Sequence, residues 1–122
     1  LFPHLSVGDN LAFALPHALK GRQARRAAVE DALTRAGLAN FYTRDPATLS
    51  GGQRARAALM RTLLAQPEAL LLDEPFARLD ATLRADLRGF TFAHARAQNI
   101  PVLLVTHDEA DALAANGPVI AL

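Results

Sequence analysis

The sequence predicts an α/β protein in two parts: helices and loops over 1–66, then strands and helices sharing a parallel sheet over 67–122. Three observations carry this reading. Before Gln66, apolar residues recur at helical spacing between capping residues. After Pro67, short unbroken apolar runs alternate with longer helical stretches. No tight-turn signal joins one run directly to the next, so the strands must be linked by crossovers and pair in parallel.

Element by element, Ser6 caps a helix over 7–15, which Pro16 stops. A second helix over 22–36 gathers Ala28, Ala32, Leu33 and Ala36 on one face, with Gly37 as its C-cap. The nearby Lys20, Arg22, Arg25 and Arg26 read as a solvated helix face rather than an anion patch. A third helix covers 53–65. The apolar run 68–72 is a buried strand entering Asp73-Glu74-Pro75, and Asp80 caps a helix over 81–98. Pro101 opens Val102-Leu103-Leu104-Val105, a strand expected to be buried on both faces. A short helix over 107–115 and a third strand, Val119-Ile120-Ala121-Leu122, complete the chain.

Composition narrows the function. The 122 residues make about one domain, and a 51% apolar content can bury a modest core. Thirteen Lys plus Arg against 12 Asp plus Glu leave a net charge of +1, which argues against a nucleic-acid-coating surface or an acidic disordered tail. With no cysteine, disulfides, zinc-thiolate sites and thiol catalysis are excluded, and a reducing compartment fits. The longest apolar runs fall far short of a membrane span. The start, Leu1-Phe2-Pro3-His4, has neither an initiator Met nor a signal-peptide pattern, and reads as an internal cut.

Chemistry concentrates in a few places. Leu49-Ser50-Gly51-Gly52-Gln53 opens the third helix. Ser50 supplies a capping hydroxyl, the glycines let main-chain amides approach an oxyanion, and the helix dipole points its positive end there. Leu70-Leu71-Leu72-Asp73-Glu74-Pro75 delivers two carboxylates to the carboxyl end of a strand, where open α/β sheets bind ligands. Neighbouring side chains on an extended backbone point apart, so one carboxylate can serve a Mg²⁺ ion while the other polarises a water. His107 ends the next strand. By itself it is more often structural than catalytic, and Asp80 by itself is simply an N-cap. His4, His17 and His94 have no comparable setting.

Taken in order, Leu49 to Gln53, Leu70 to Pro75, Ala77-Arg78-Leu79-Asp80 and Val105-Thr106-His107-Asp108 resemble the signature, Walker B, D-loop and H-loop of ABC ATPases. Leu1-Phe2-Pro3-His4-Leu5-Ser6-Val7 resembles the segment after the Q-loop in importer-type subunits. The resemblance covers essentially the whole chain and is nearest to bacterial subunits importing thiamine, polyamines or iron and to the YnjD type. It implies a partial P-loop NTPase (RecA-like) parallel sheet over 67–122, joined to the ABC helical subdomain over 1–66.

The resemblance also implies roles. Ser50, Gly51, Gly52 and Gln53 would complete the ATP site of a second subunit in a head-to-tail dimer. Asp73 would hold Mg²⁺ through water, Glu74 would act as general base, and His107 would contact the γ-phosphate. Asp80 would cross the dimer interface. Phe2-Pro3-His4-Leu5 would line the groove that receives a transmembrane permease, placing the subunit peripherally on the cytoplasmic face of the inner membrane with no nucleic-acid partner. A strand from the phosphate-loop region would separate the second and third strands here. Without it, the gap is expected to close, pair with another copy, or leave the chain after Pro101 poorly ordered.

Departures from the family pattern are specific. Gly-x-x-x-x-Gly-Lys is absent, and so are the Q-loop glutamine and the adenine-stacking aromatic. Asp111 replaces the usual Glu after His107, Ala77 a frequent Ser, and Asn116-Gly117-Pro118 a frequent Asp-Arg pair. Two other readings stand beside an ATPase subunit. One is a non-catalytic half-domain that lends its signature loop. The other is the C-terminal half of an SMC-like or repair ATPase, disfavoured because no heptad repeat appears.

Overall fold

In the computed structural model, which describes residues 1–120, the chain divides into two compact units, Leu1–Gln66 and Pro67–Leu122.

The first unit holds three helices, α1 (Val7–Ala14), α2 (Arg22–Arg35) and α3 (Gly51–Leu64), with a single 3₁₀ turn at Pro46–Thr48. Ser6 caps α1 by accepting from the Asp9 N–H. A Schellman turn ends α2: Gly37 takes φ +73°, Leu38 N–H donates to Leu33 O, and Gly37 N–H donates to Thr34 O. Val7, Leu11, Val29, Leu33, Leu38, Met60 and Leu63 form the buried centre, drawn from all three helices and the turn after α2. Gly8 is required by its neighbour: any Cβ there would fall on the Tyr42 ring, and the Tyr42 main-chain carbonyl accepts the Gly8 N–H at 2.8 Å. Arg25 departs from the expected solvated face. Its guanidinium donates to the carbonyls of Ala12, Pro16 and Leu19, satisfying the open end of α1 and the turn beyond it.

The second unit contains β1 (Leu70–Asp73), α4 (Ala81–Ala97), β2 (Val102–Val105) and α5 (Glu109–Ala115). The two strands pair in parallel, Leu70 opposite Val102 and Asp73 opposite Val105. Glu74 N–H extends the ladder by donating to Val105 O at 2.8 Å. Leu70 and Leu72 are buried while Leu71 is exposed. Phe76, fully buried just past β1, meets Phe92 of α4 edge to face at 5.9 Å.

Several expectations are corrected. β2 is not buried on both faces: Leu103 and Val105 are exposed, because neither α4 nor α5 covers that side of the pair. No third strand includes Val119 or Ile120, which are exposed and unpaired in the sheet; Ala121 and Leu122 lie outside the described residues. The gap expected beside β2 is therefore not closed by another strand among the described residues. Helix α3 begins at Gly51, ahead of the expected 53, since Ser50 is the cap. Helix α5 begins at Glu109, because Asp108 is its cap.

Candidate functional site

In the first unit the Ser50 to Gln53 turn is held by a reciprocal capping box. Gln53 N–H donates to Ser50 Oγ at 3.2 Å, and Ser50 N–H donates to Gln53 Oε1 at 2.9 Å. The N–H groups of Gly51 and Gly52, in the first turn of α3, have no intrahelical acceptor. Open space surrounds the Cβ position of both glycines, so an anion can approach those amides directly. Arg56, one turn on, donates to Ala36 O at 2.9 Å and to Gly52 O at 3.3 Å, tying the start of α3 to the end of α2. Sequence reasoning missed that brace.

The expected partner-binding segment lies in the same unit. Phe2 packs edge-on against Phe13 at 5.3 Å, and the Arg61 guanidinium sits 4.6 Å from the Phe2 ring centroid. Buried Asn10 holds this segment, accepting from Phe2 N–H and donating to the carbonyls of Phe2, Leu5 and Ser6.

In the second unit the parallel register brings the ends of β1 and β2 together. Glu74 lies just past β1 with φ +45°, a left-handed backbone that is costly for a residue with a Cβ. That turn directs its carboxylate to the neighbouring loop, where Glu74 Oε1 accepts the His107 N–H at 2.7 Å. The His107 ring is 99% exposed, with Nε2 3.9 Å from the same oxygen, so it is free to meet a ligand. Asp73 is exposed, and its carboxylate has no hydrogen bond or ion pair among the described residues. Asp80 makes a local contact, accepting the Leu83 N–H at 2.9 Å as the cap of α4. Glu74 and His107 are thus brought together, whereas Asp80 is engaged within its own helix. No group of three or more potential metal ligands occurs among the described residues. A lone exposed carboxylate suits Mg²⁺ held through water, which keeps most of its hydration shell.

A second cluster, read in the sequence only as a substitution, lies behind His107. Asp111 is buried at 1% exposure and receives Arg84 at 2.7 Å and Arg88 at 2.9 Å. Burial alone would raise the Asp111 pKa; the hydrogen bonds from Arg84 and Arg88 outweigh it and hold the carboxyl below the usual aspartate range. The same pairing holds Arg84 firmly in its charged form. The signal that could have found this cluster is spacing: Arg84 and Arg88 share one face of α4, and Asp111 stands three residues after Asp108, the cap of the last helix.

The model of the ABC transporter family matches residues 1–77, more than half of the chain. This chain belongs to the ABC transporter family. The uncharacterised ABC transporter ATP-binding protein YnjD of Escherichia coli is 62% identical over 111 residues, spanning 91% of this chain and 51% of YnjD. The thiamine import ATP-binding protein ThiQ of Rhizobium meliloti is 46% identical over 116 residues, spanning 93% of this chain and 49% of ThiQ. The sulfate/thiosulfate import ATP-binding protein CysA of Mycobacterium bovis is 46% identical over 112 residues, 92% of this chain and 32% of CysA. The chain thus spans a third to a half of the curated relatives it matches. Among solved structures, the dimeric ATP-binding cassette MJ0796, in a post-hydrolysis state bound to ADP and Pi, superposes with a TM-score of 0.79. It is 28% identical, and the match covers 93% of this chain and 51% of that one. The α/β fold with its small parallel sheet is accordingly that of ABC cassettes, and two of these relatives, ThiQ and CysA, are import ATP-binding proteins. No helix among the described residues is long and apolar enough to cross a membrane.

Proposed function

We propose that this ABC-family chain supplies the signature loop, one catalytic carboxylate and the phosphate-sensing histidine of an ATPase subunit that powers solute import. The observation that carries the reading is the meeting of Glu74 and His107 at the ends of paired parallel strands, at 2.7 Å. A general base and a phosphate contact have to converge on one reacting centre, and adjacent strand ends achieve that.

Within this proposal, 1–66 is the helical subdomain and 67–122 part of the RecA-like subdomain. Glu74 takes up or orients the proton of the attacking water. His107 offers its exposed ring to the γ-phosphate. Asp73 would hold Mg²⁺ through water; the ion, when bound, offsets phosphate charge. Ser50, Gly51, Gly52 and Gln53 face the nucleotide of a second subunit in a head-to-tail dimer, with amides that the open glycines leave accessible. Asp80 reaches that interface from the cap of α4. The Phe2 to Leu5 segment, braced by Asn10, meets a membrane permease and keeps the subunit at the cytoplasmic side of the membrane. The 122 residues contain no Gly-x-x-x-x-Gly-Lys, so the main β- and γ-phosphate cradle comes from outside them, and on their own they do not turn over ATP.

The test is phosphate release by a subunit that joins these residues to a phosphate-binding loop. His107→Ala and Gly52→Asp should each reduce turnover by about 10²-fold or more. Mixing Gly52→Asp subunits with intact ones should also silence the intact partner's site. Full turnover in both variants would sink the proposal.

A further inference from the structure

We propose that Asp111 is a positioning residue for His107, acting through the Thr106–Asp108 turn; this deepens the reading of His107 as the phosphate contact. The three residues of that turn are each held from a different direction. Thr106 Oγ1 lies 3.5 Å from Asp111 Oδ2 and accepts the Asp108 N–H at 3.0 Å. The hydroxyl can donate to Asp111 while it accepts from Asp108, and an ionised Asp111, having no proton of its own, can only accept. His107 N–H is taken by Glu74. Asp108 accepts the Asp111 N–H at 2.9 Å and pairs with Arg84 at 3.2 Å.

Arg84 is the shared strut. Its guanidinium bonds Asp111 through both Nε and Nη2, at 3.3 and 2.7 Å, while Nη2 also reaches Asp108. Arg88, one turn along α4, donates to Asp111 Oδ1 at 2.9 Å, the oxygen that also accepts from Arg84 Nε. Two rigid, forked donors on one helix face therefore clamp a carboxylate whose side chain is almost wholly buried. What the clamp leaves free is the His107 ring, 99% exposed. A side chain so exposed has no packing of its own to orient it, so the backbone on either side must set its direction. The ion cluster is the structure behind that backbone.

Amide hydrogen exchange of the whole 122-residue chain, measured by NMR without nucleotide, tests this. In Asp111→Asn, protection of His107 and Asp108 is expected to fall about 3- to 10-fold, the range of one lost hydrogen bond, beyond any change in α4. Asp111→Glu should restore part of it. Thr106→Val, which keeps the ion cluster and the fold, should loosen the same two amides if Asp111→Asn proves too unstable to study. Uniform loss across α4, α5 and β1, or no change at His107 in either variant, would overturn the positioning role. Because no nucleotide is present, a negative result here is separate from failure of the ATPase reading, which the turnover of His107→Ala decides.

Discussion

Glu74 and His107, 33 residues apart in sequence, meet through a hydrogen bond from a main-chain N–H to a carboxylate oxygen at 2.7 Å. The bond exists because β1 and β2 run in parallel and in register, so their carboxyl ends finish side by side. In this arrangement one oxygen of the proposed base is occupied by the backbone of the proposed phosphate contact. A movement of either strand end is therefore felt by both.

The first prediction concerns Glu74. In a subunit that hydrolyses ATP, Glu74→Gln should retain nucleotide binding and slow hydrolysis by about 10² to 10⁴-fold. The amide oxygen still accepts the His107 N–H, so the local structure survives the change. Steady-state turnover compared with ATP retention on filters distinguishes the two effects, and near-normal turnover would remove Glu74 from the role of base.

The second concerns these 122 residues alone. Titration calorimetry should detect no micromolar MgATP binding, since the signature amides and a single carboxylate cannot replace a phosphate loop and its lysine. Measurable heat of tight binding, or turnover by the purified chain, contradicts this.

A third compares two glycines. Gly8→Ala drives a methyl group into the Tyr42 ring and should cost about 1–3 kcal/mol in urea unfolding. Gly52→Ala meets open space inside a helix and should leave stability unchanged or raise it by up to about 1 kcal/mol. If residues 50–53 meet a partner's nucleotide as proposed, the ranking should invert in the ATPase, because the new methyl at residue 52 would stand in the path of that phosphate. Equal stabilities for the two variants would contradict the close packing of Gly8.

The fourth is a pH dependence. Asp111 has a folded pKa held below its ordinary value of 3.8. A carboxyl lowered in this way contributes stability that is fully present above the ordinary value. The contribution fades as pH falls below that value and is gone once pH passes the folded pKa. Asp111→Asn should therefore weaken the protein near neutral pH, by about 1–3 kcal/mol for the lost charged hydrogen bonds. It should also flatten the decline in unfolding midpoint below about pH 4. Circular dichroism midpoints across this range report both, and an acid limb as steep as the parent's would count against the Asp111 cluster.

The residues by themselves determined the helices, their caps and the motif positions. Ser6, Ser50 and Asp80 cap the helices expected of them, and Gly37 ends the second, because capping is a contact between near neighbours in the chain. The parallel pairing also followed from the alternation of strand and helix. What only the tertiary structure decided depends on which distant segments face one another. Apolar content alone made the second strand look fully buried, yet burial depends on what packs over each face, and Leu103 and Val105 remain exposed. Asp111 read as a departure from a pattern until two arginines from another helix surrounded it. Likewise, the left-handed turn at Glu74 has no glycine to announce it; the ladder bond to Val105 and the His107 amide hold the backbone in a conformation that the residue alone disfavours.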